Sequence, residues 1–135
     1  MEVQIFSRAH IMEHVKNYYN ALLTCALQTI PDSAVMIAGP VGVGTPHFEE
    51  NVGTLKSYIH KIGQKENVFD QTQFFDVFLP DAPHEYEQKF DIFYRGLIDS
   101  GKITKLYVLP ESESVRGVAT EISYARTRDI PVIFL

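Results

Sequence analysis

The sequence predicts an α/β fold with a mostly parallel sheet, and three observations support this fold class. Short apolar runs flanked by Gly or Pro alternate with longer segments whose apolar residues recur every three or four positions. Glycine-rich or polar loops separate these runs from the helical segments that follow them. The length of 135 residues, of which 45% are hydrophobic, suits one domain that buries a core without disulfides or metals. We therefore expect a single domain over residues 1–135, with residues 1–33 as an N-terminal helical extension.

The N-terminal half is predicted to run helix, strand, helix. Residues 9–28 carry apolar side chains at helical spacing without Gly or Pro, which predicts an amphipathic helix. Residues 34–38 are all apolar and are followed by a glycine-rich segment, which predicts a buried strand entering a turn. Thr45 and Pro46 form a good N-cap and first-turn pair, so a second helix is predicted over residues 46–64.

The C-terminal half continues the alternation. Residues 68–69 and 74–79 are interpreted as extended, a punctuated loop occupies residues 80–83, and helix 84–100 ends at Gly101 as its cap. Further elements are predicted as a strand over 103–109, a helix over 115–128 capped by Ser114, and a final strand over 131–135. The expected architecture is a three-layer Rossmann/flavodoxin-like sandwich of about five strands, with its ligand site at the carboxyl ends of the strands.

Composition excludes several classes of protein. The net charge of -5 and the scattered distribution of the twelve Lys and Arg residues argue against nucleic-acid binding. Cys25 is the single cysteine, so no internal disulfide forms and a cytoplasmic, reducing location is expected. No apolar stretch approaches the ~20 residues that a membrane helix needs, so no membrane association is expected.

Two strand-to-helix loops are the candidate ligand-binding segments. The first has the pattern G-x-x-G-x-G-T and contributes Gly39, Pro40, Val41 and Gly42. It lacks the Lys of a P-loop, and His47 stands where a third dinucleotide-binding Gly would be. Glycines still allow a ligand to approach the backbone, and the following helix offers amide groups to an anion. A plain tight turn is the alternative.

The second loop leads into the helix that carries Glu121. Its candidate residues are Ser112, Ser114, Arg116 and Gly117, and Glu121 follows Ser114 by about two helical turns. A carboxyl group beside the sheet would be partly buried, and burial raises its pKa. Glu121 is therefore either a functional acid or nucleophile, or a paired structural residue.

Residues 114–125, together with residues 129–133, resemble the signature of the nucleoside 2-deoxyribosyltransferase-like superfamily. The resembling features are Ser114, Gly117 and Glu121 at their mutual spacing, and the Ile-Pro-Val entry into the last strand. The resemblance implies cleavage or transfer of the N-glycosidic bond of a nucleoside or nucleoside 5′-monophosphate, with Glu121 as the nucleophile and no metal or cofactor.

The same resemblance implies the other site residues and the assembly. It makes Asp91 the positional candidate for the catalytic acid, although Asp99 remains an alternative. It assigns Gly39, Pro40, Val41 and Gly42 to one wall of the pocket and the second loop to the other, with Arg116 placed to pair with a phosphate. A homodimer or larger homo-oligomer is expected.

Four alternatives remain open at the level of sequence. One alternative function is a catalytically silent module that binds or senses a nucleotide. Another is a phosphoribohydrolase of the cytokinin-activating type, which residues 42–45 with Glu49 suggest. The H-x-x-E-H pattern from His10 to His14 matches a zinc motif but is better interpreted as an exposed helix edge. His84, in the loop region, is a further candidate acid-base group, with a solvated side chain as the simpler interpretation.

Overall fold

A computed structural model of the chain describes residues 8–79 and 88–135, with side chains from residue 12 onward in the first range. Four helices, three strands and two irregular helical segments follow one another within these residues. The predicted loop 80–83, the start of the predicted helix 84–100 with His84, and the His10 side chain lie outside the described residues.

The elements occur in the following order: α1 (Arg8–Thr29), β1 (Ala34–Ala38), α2 (Phe48–Gly63), a 3-10 helix (Gln71–Val77), a π-helical segment (Lys89–Tyr94) that runs directly into α3 (Arg95–Asp99), β2 (Ile103–Val108), α4 (Arg116–Thr127) and β3 (Val132–Phe134). The predicted helices over residues 9–28 and 115–128 and the strand over 34–38 are confirmed within one or two residues. The strands over 103–109 and 131–135 are confirmed in slightly shorter form.

The sheet of the described residues has three parallel strands in the order β1, β2, β3. All five residues of β1 are buried, so both faces of this strand are covered. The prediction of about five strands in a Rossmann-like sandwich is therefore wrong in its detail, while the mixed α/β class with a parallel sheet is confirmed. The helices α2 and α4 pack against this sheet, and α1 packs against the π-segment and α3.

Two of the predicted strands take other forms. Val68 makes a single parallel bridge to Val35 on the free side of β1, with Val35 N donating to Asn67 O at 2.8 Å. The predicted strand over 74–79 is instead mostly the 3-10 helix. Asp70 caps this helix by accepting a hydrogen bond from Thr72 N at 2.9 Å.

The aromatic residues of that segment explain the difference. Phe74, Phe75 and Phe78 are all buried in the core, and their rings contact one another or the ring of Phe93. Two adjacent residues and a third one turn later reach one core together on a helix, whereas adjacent residues of a strand point to opposite faces. The prediction of a strand is therefore wrong here. The apolar residues span only one helical turn, and so short a run has the same pattern as a buried strand.

Two predicted helix caps are also wrong. The residue before α2 is His47 and the residue before α4 is Val115, and neither makes a side-chain capping hydrogen bond. Thr45 instead closes a turn in the loop by donating from Oγ1 to Gly42 O at 2.7 Å.

Candidate functional site

A cavity of about 330 Å³ lies at the carboxyl ends of β1 and β2, where the sequence predicts the ligand site. The loop between β1 and α2 forms one wall, and the start of α4 forms another. The π-segment and the 3-10 helix supply further lining residues. The residues that line the cavity are Gly39, Pro40, Val41, Gly42, Thr45, His47, Asn51, Gln71, Lys89, Phe90, Tyr94, Val115, Arg116, Gly117, Val118 and Glu121.

The glycine-rich wall depends on two glycines for different reasons. A Cβ atom at Gly39 would lie 2.5 Å from Leu109 Cδ1, so any larger residue would require the buried Leu109 side chain to shift. Gly42 has φ +68, a left-handed conformation that disfavours other side chains. Asn51 of α2 fixes the loop by donating from Nδ2 to Val41 O at 3.1 Å. Side-chain hydrogen bonds from Asn51 and Thr45 to the backbone of the loop thus help to hold this wall in place.

The opposite wall is the first turn of α4. Val115 precedes the helix with extended backbone angles and supplies no side-chain cap, so the first-turn amides have no partner within the helix. Arg116 and Gly117 line the cavity from this turn, and Arg116 is exposed. The amides of a first helical turn and the helix dipole favour an anion or a polar group at this position.

Glu121 is the chemically unusual residue of the cavity. It lies one turn further along α4 and is only 4% exposed. No residue in the two described ranges donates a hydrogen bond to its carboxyl group. Burial raises the pKa of Glu121 well above its ordinary value, and the positive charge of Lys89 opposes this rise.

Lys89 is a functional candidate that the sequence patterns did not indicate. Lys89 is 3% exposed, and its Nζ lies 5.5 Å from the ring centres of both Phe78 and Phe90. Phe90 in turn stacks on Tyr94 with ring centres 4.8 Å apart. The π-segment therefore presents a buried cation and an aromatic wall to the same cavity as Glu121.

Gln71 connects this wall to the sheet. Its side chain donates from Nε2 to Ile37 O on β1 and accepts from Tyr94 Oη at 2.7 Å. Gln71 is buried, and both of these hydrogen bonds lie in the interior. No sequence motif indicates this link, because it joins three segments that are distant along the chain.

Three predicted site residues lie away from the cavity lining. Ser114 is exposed. Ser112 is buried and lines a second cavity of about 290 Å³ between α2 and the loop after β2. The carboxylate of Asp91 accepts a hydrogen bond from Tyr124 Oη at 2.7 Å, and Asp91 does not line either cavity. The alternative acid, Asp99, is engaged with Arg128 at 2.7 Å.

The described part of the chain holds no group of three or more His, Cys, Asp or Glu side chains suited to a metal ion. Within the same residues, no helix combines the length and apolar character needed to cross a membrane. The described residues bring to the cavity a buried carboxyl group, a buried ammonium group, an aromatic wall and a helix N-terminus.

Comparison with known proteins adds no assignment. No model of a protein family matches the sequence, no curated protein matches it, and no solved structure matches the fold.

Proposed function

We propose that the protein cleaves or transfers the N-glycosidic bond of a nucleoside or nucleoside 5′-monophosphate, with Glu121 as the nucleophile. The observation that carries the proposal is the buried carboxyl group of Glu121, which lines a cavity at the carboxyl edge of the sheet and accepts no hydrogen bond from the described residues. The resemblance of residues 114–125 to the nucleoside 2-deoxyribosyltransferase-like superfamily supports the same role.

The reaction requires a carboxylate beside the anomeric carbon. A Glu121 oxygen bonds to C1′ of the sugar as the bond from C1′ to the base nitrogen breaks, and the departing base takes a proton from water or from an acid. Water or a second base then displaces the sugar from Glu121. The transition state carries positive charge on the sugar, and a buried carboxylate with few competing hydrogen bonds stabilises it strongly.

The remaining lining residues suit the other parts of such a ligand. The stacked pair of Phe90 and Tyr94 offers an apolar wall for a base, and the first turn of α4 offers amides for a hydroxyl or phosphate group. The volume of about 330 Å³ lies at the lower end of the range of about 300–1,000 Å³ for small-molecule sites.

Binding without turnover is the second candidate function, and one observation favours it. Burial raises the pKa of Glu121, and a protonated carboxyl group is not a nucleophile. If the pKa in the bound complex stays above the working pH, the cavity holds its ligand without cleaving it.

Trapping of the intermediate separates the two functions. The protein is incubated with 2′-deoxy-2′-fluoroarabinonucleosides and their 5′-monophosphates, because the fluorine slows breakdown of the glycosyl ester. Intact-mass spectrometry is expected to show addition of one fluorosugar, located on Glu121 by peptide mapping.

The matched control for the trapping experiment is Glu113→Gln. Glu113 is an exposed carboxylate near the start of the same helix, so this variant is expected to form the adduct normally. Binding of nucleotides in calorimetry without any adduct or base release across the panel would establish the silent module instead. The expected homo-oligomer is tested separately by sedimentation, where a ~15 kDa species at micromolar concentration would contradict it.

A further inference from the structure

The π-segment places a cation and two aromatic side chains at one cavity. Hydrogen bonds in a π-helix run from residue i to i+5, so Lys89 and Tyr94 lie close to one line along the helix and Phe90 lies beside them. All three residues line the cavity. A regular α-helix would spread these positions over a wider arc, because each of its turns holds fewer residues. Isolated π-helical turns occur frequently at functional sites.

The environment of Lys89 is unusual for a lysine. Its side chain is 3% exposed, and its Nζ lies 5.5 Å from the centres of the Phe78 and Phe90 rings. Lysine is almost never this deeply buried unless its charge interacts with another group. The carboxyl group of Glu121, itself 4% exposed, lines the same cavity and is acted on by the charge of Lys89.

We infer that Lys89 is a positioning residue for Glu121: its buried ammonium group lines the same cavity and favours the ionised, nucleophilic form of the carboxyl group. The importance of this effect for catalysis rests on the proposed function, whereas the effect of the Lys89 charge on the ionisation of Glu121 does not. Lys89 thereby opposes part of the rise in the pKa of Glu121 that burial causes.

The other titratable residues on the elements around Glu121 either make hydrogen bonds or ion pairs with other partners or line the same cavity. On the elements packed against α4, Asp91 accepts from Tyr124, Tyr94 donates to Gln71, Asp99 binds Arg95 and Arg128, and Lys105 and Tyr107 both bind Glu66. His47 and the exposed Arg116 line the same cavity. Among the described residues, Lys89 is the group whose charge lowers the pKa of Glu121.

The direct test is a titration of the Glu121 carboxyl group. Its ¹³C signal is followed by NMR in glutamate-labelled protein and is assigned by its loss in Glu121→Gln. In Lys89→Met we expect the midpoint to rise by about 1–3 pH units, and in Lys89→Arg we expect it to stay near the wild-type value. Lys56→Met, which removes an exposed lysine of α2, is the matched control and is expected to leave the midpoint unchanged.

A second measurement covers the case in which Lys89→Met does not fold. In the wild-type protein, the ¹⁵N signal of Lys89 Nζ is expected to shift with the same midpoint as the Glu121 carboxyl group. The inference is overturned if the titration midpoint of Glu121 is unchanged in folded Lys89→Met. It is also overturned if the ¹⁵N signal of Lys89 does not shift as Glu121 titrates.

Activity separates this inference from the proposed function. If the wild-type protein releases base, the acidic limb of its kcat/KM profile is expected to move to higher pH in Lys89→Met. If no substrate releases base but the Glu121 midpoint still rises in Lys89→Met, the proposed function fails and the electrostatic role of Lys89 stands. A pH profile that is identical in the two proteins overturns the catalytic part of the inference.

Discussion

Two glutamates of this chain occupy opposite electrostatic environments. Glu66, just beyond α2, accepts a hydrogen bond from Lys105 Nζ at 2.9 Å and another from Tyr107 Oη, both from side chains of β2. The bond from Tyr107, followed by that from Lys105, lowers the pKa of Glu66. Glu121 is buried beside the cavity and accepts no hydrogen bond from the described residues, and burial raises its pKa.

The difference shows how a structural carboxylate can be told from a reactive one. Glu66 is partly exposed, and its carboxylate is paired with Lys105 and hydrogen-bonded to Tyr107. These contacts connect the end of α2 to β2, and they leave the carboxylate unreactive. Glu121 is buried at a cavity and accepts no hydrogen bond from the described residues, an arrangement that opposes folding and is typical of functional sites.

The largest expected effect is on catalysis. Under the proposed function, Glu121→Gln lowers kcat/KM for base release by about 10³-fold or more, since the neutral amide cannot bond to C1′. Glu66→Gln makes the same change of group outside the cavity and is expected to alter kcat/KM less than about twofold, a range typical of residues that do not touch substrate. Initial rates of base release measure both variants, and equal losses would remove the distinction between the two glutamates.

The next effect is on the pH dependence of stability. Because the folded pKa of Glu121 lies above its unfolded value of about 4.3, folding favours the protonated form, and this contribution is lost as pH rises through the folded pKa. Each pH unit in this window lowers the free energy of unfolding by about 1.4 kcal/mol. In Glu121→Gln this slope disappears.

The measurement is the melting temperature of Glu121→Gln relative to wild type between pH 5 and 8. We expect the relative Tm of the variant to rise with pH through this interval. Glu66 has the opposite sign, because its lowered pKa stabilises the fold above about pH 4.3 and this stabilisation is lost in acid. A flat difference between Glu121→Gln and wild type would mean that Glu121 is not buried as described.

A smaller effect distinguishes two tyrosine hydrogen bonds. Tyr94→Phe leaves the buried Oε1 of Gln71 without its donor, which is expected to lower the free energy of unfolding by about 1–3 kcal/mol. Tyr107→Phe removes the matched bond to Glu66, where water and Lys105 replace it, so little change is expected. Urea denaturation measures the free energy of unfolding of both variants. A larger decrease in Tyr107→Phe than in Tyr94→Phe would contradict this prediction.

The sequence was sufficient for the elements whose patterns are local. The buried run of β1 and the helical periodicities of α1 and α4 each extend over the whole element, and all three were predicted nearly to their ends. The location of the cavity and the burial of Glu121 also followed, because both depend on the topology of a parallel sheet.

The features that the sequence did not predict depend on the direction in which side chains point around a helix axis, and on contacts between segments distant along the chain. A π-helical turn shifts the phase of a helix, so the face that carries Lys89 could not be predicted from a period of 3.6 residues. The link through Gln71 joins β1 to the π-segment, and no local pattern encodes it. Ser114 looked like a helix cap by residue type, but the chain turns into α4 one residue later.

The smallest expected effect is the response of the two regions to salt. Lys105 and Glu66 are 42% and 27% exposed in their side chains, so solvent and counterions weaken their attraction, and raising NaCl from about 0.01 M to 1 M shortens the screening length from about 30 Å to about 3 Å. The small destabilisation expected of Lys105→Met should therefore vanish at high salt. Lys89 and Glu121 are 3% and 4% exposed, and salt screens buried charges much less than exposed ones, so the Glu121 midpoint should move little over the same range. A Glu121 midpoint that moves with salt as readily as the Lys105 effect would place both glutamates in solvent and end the comparison.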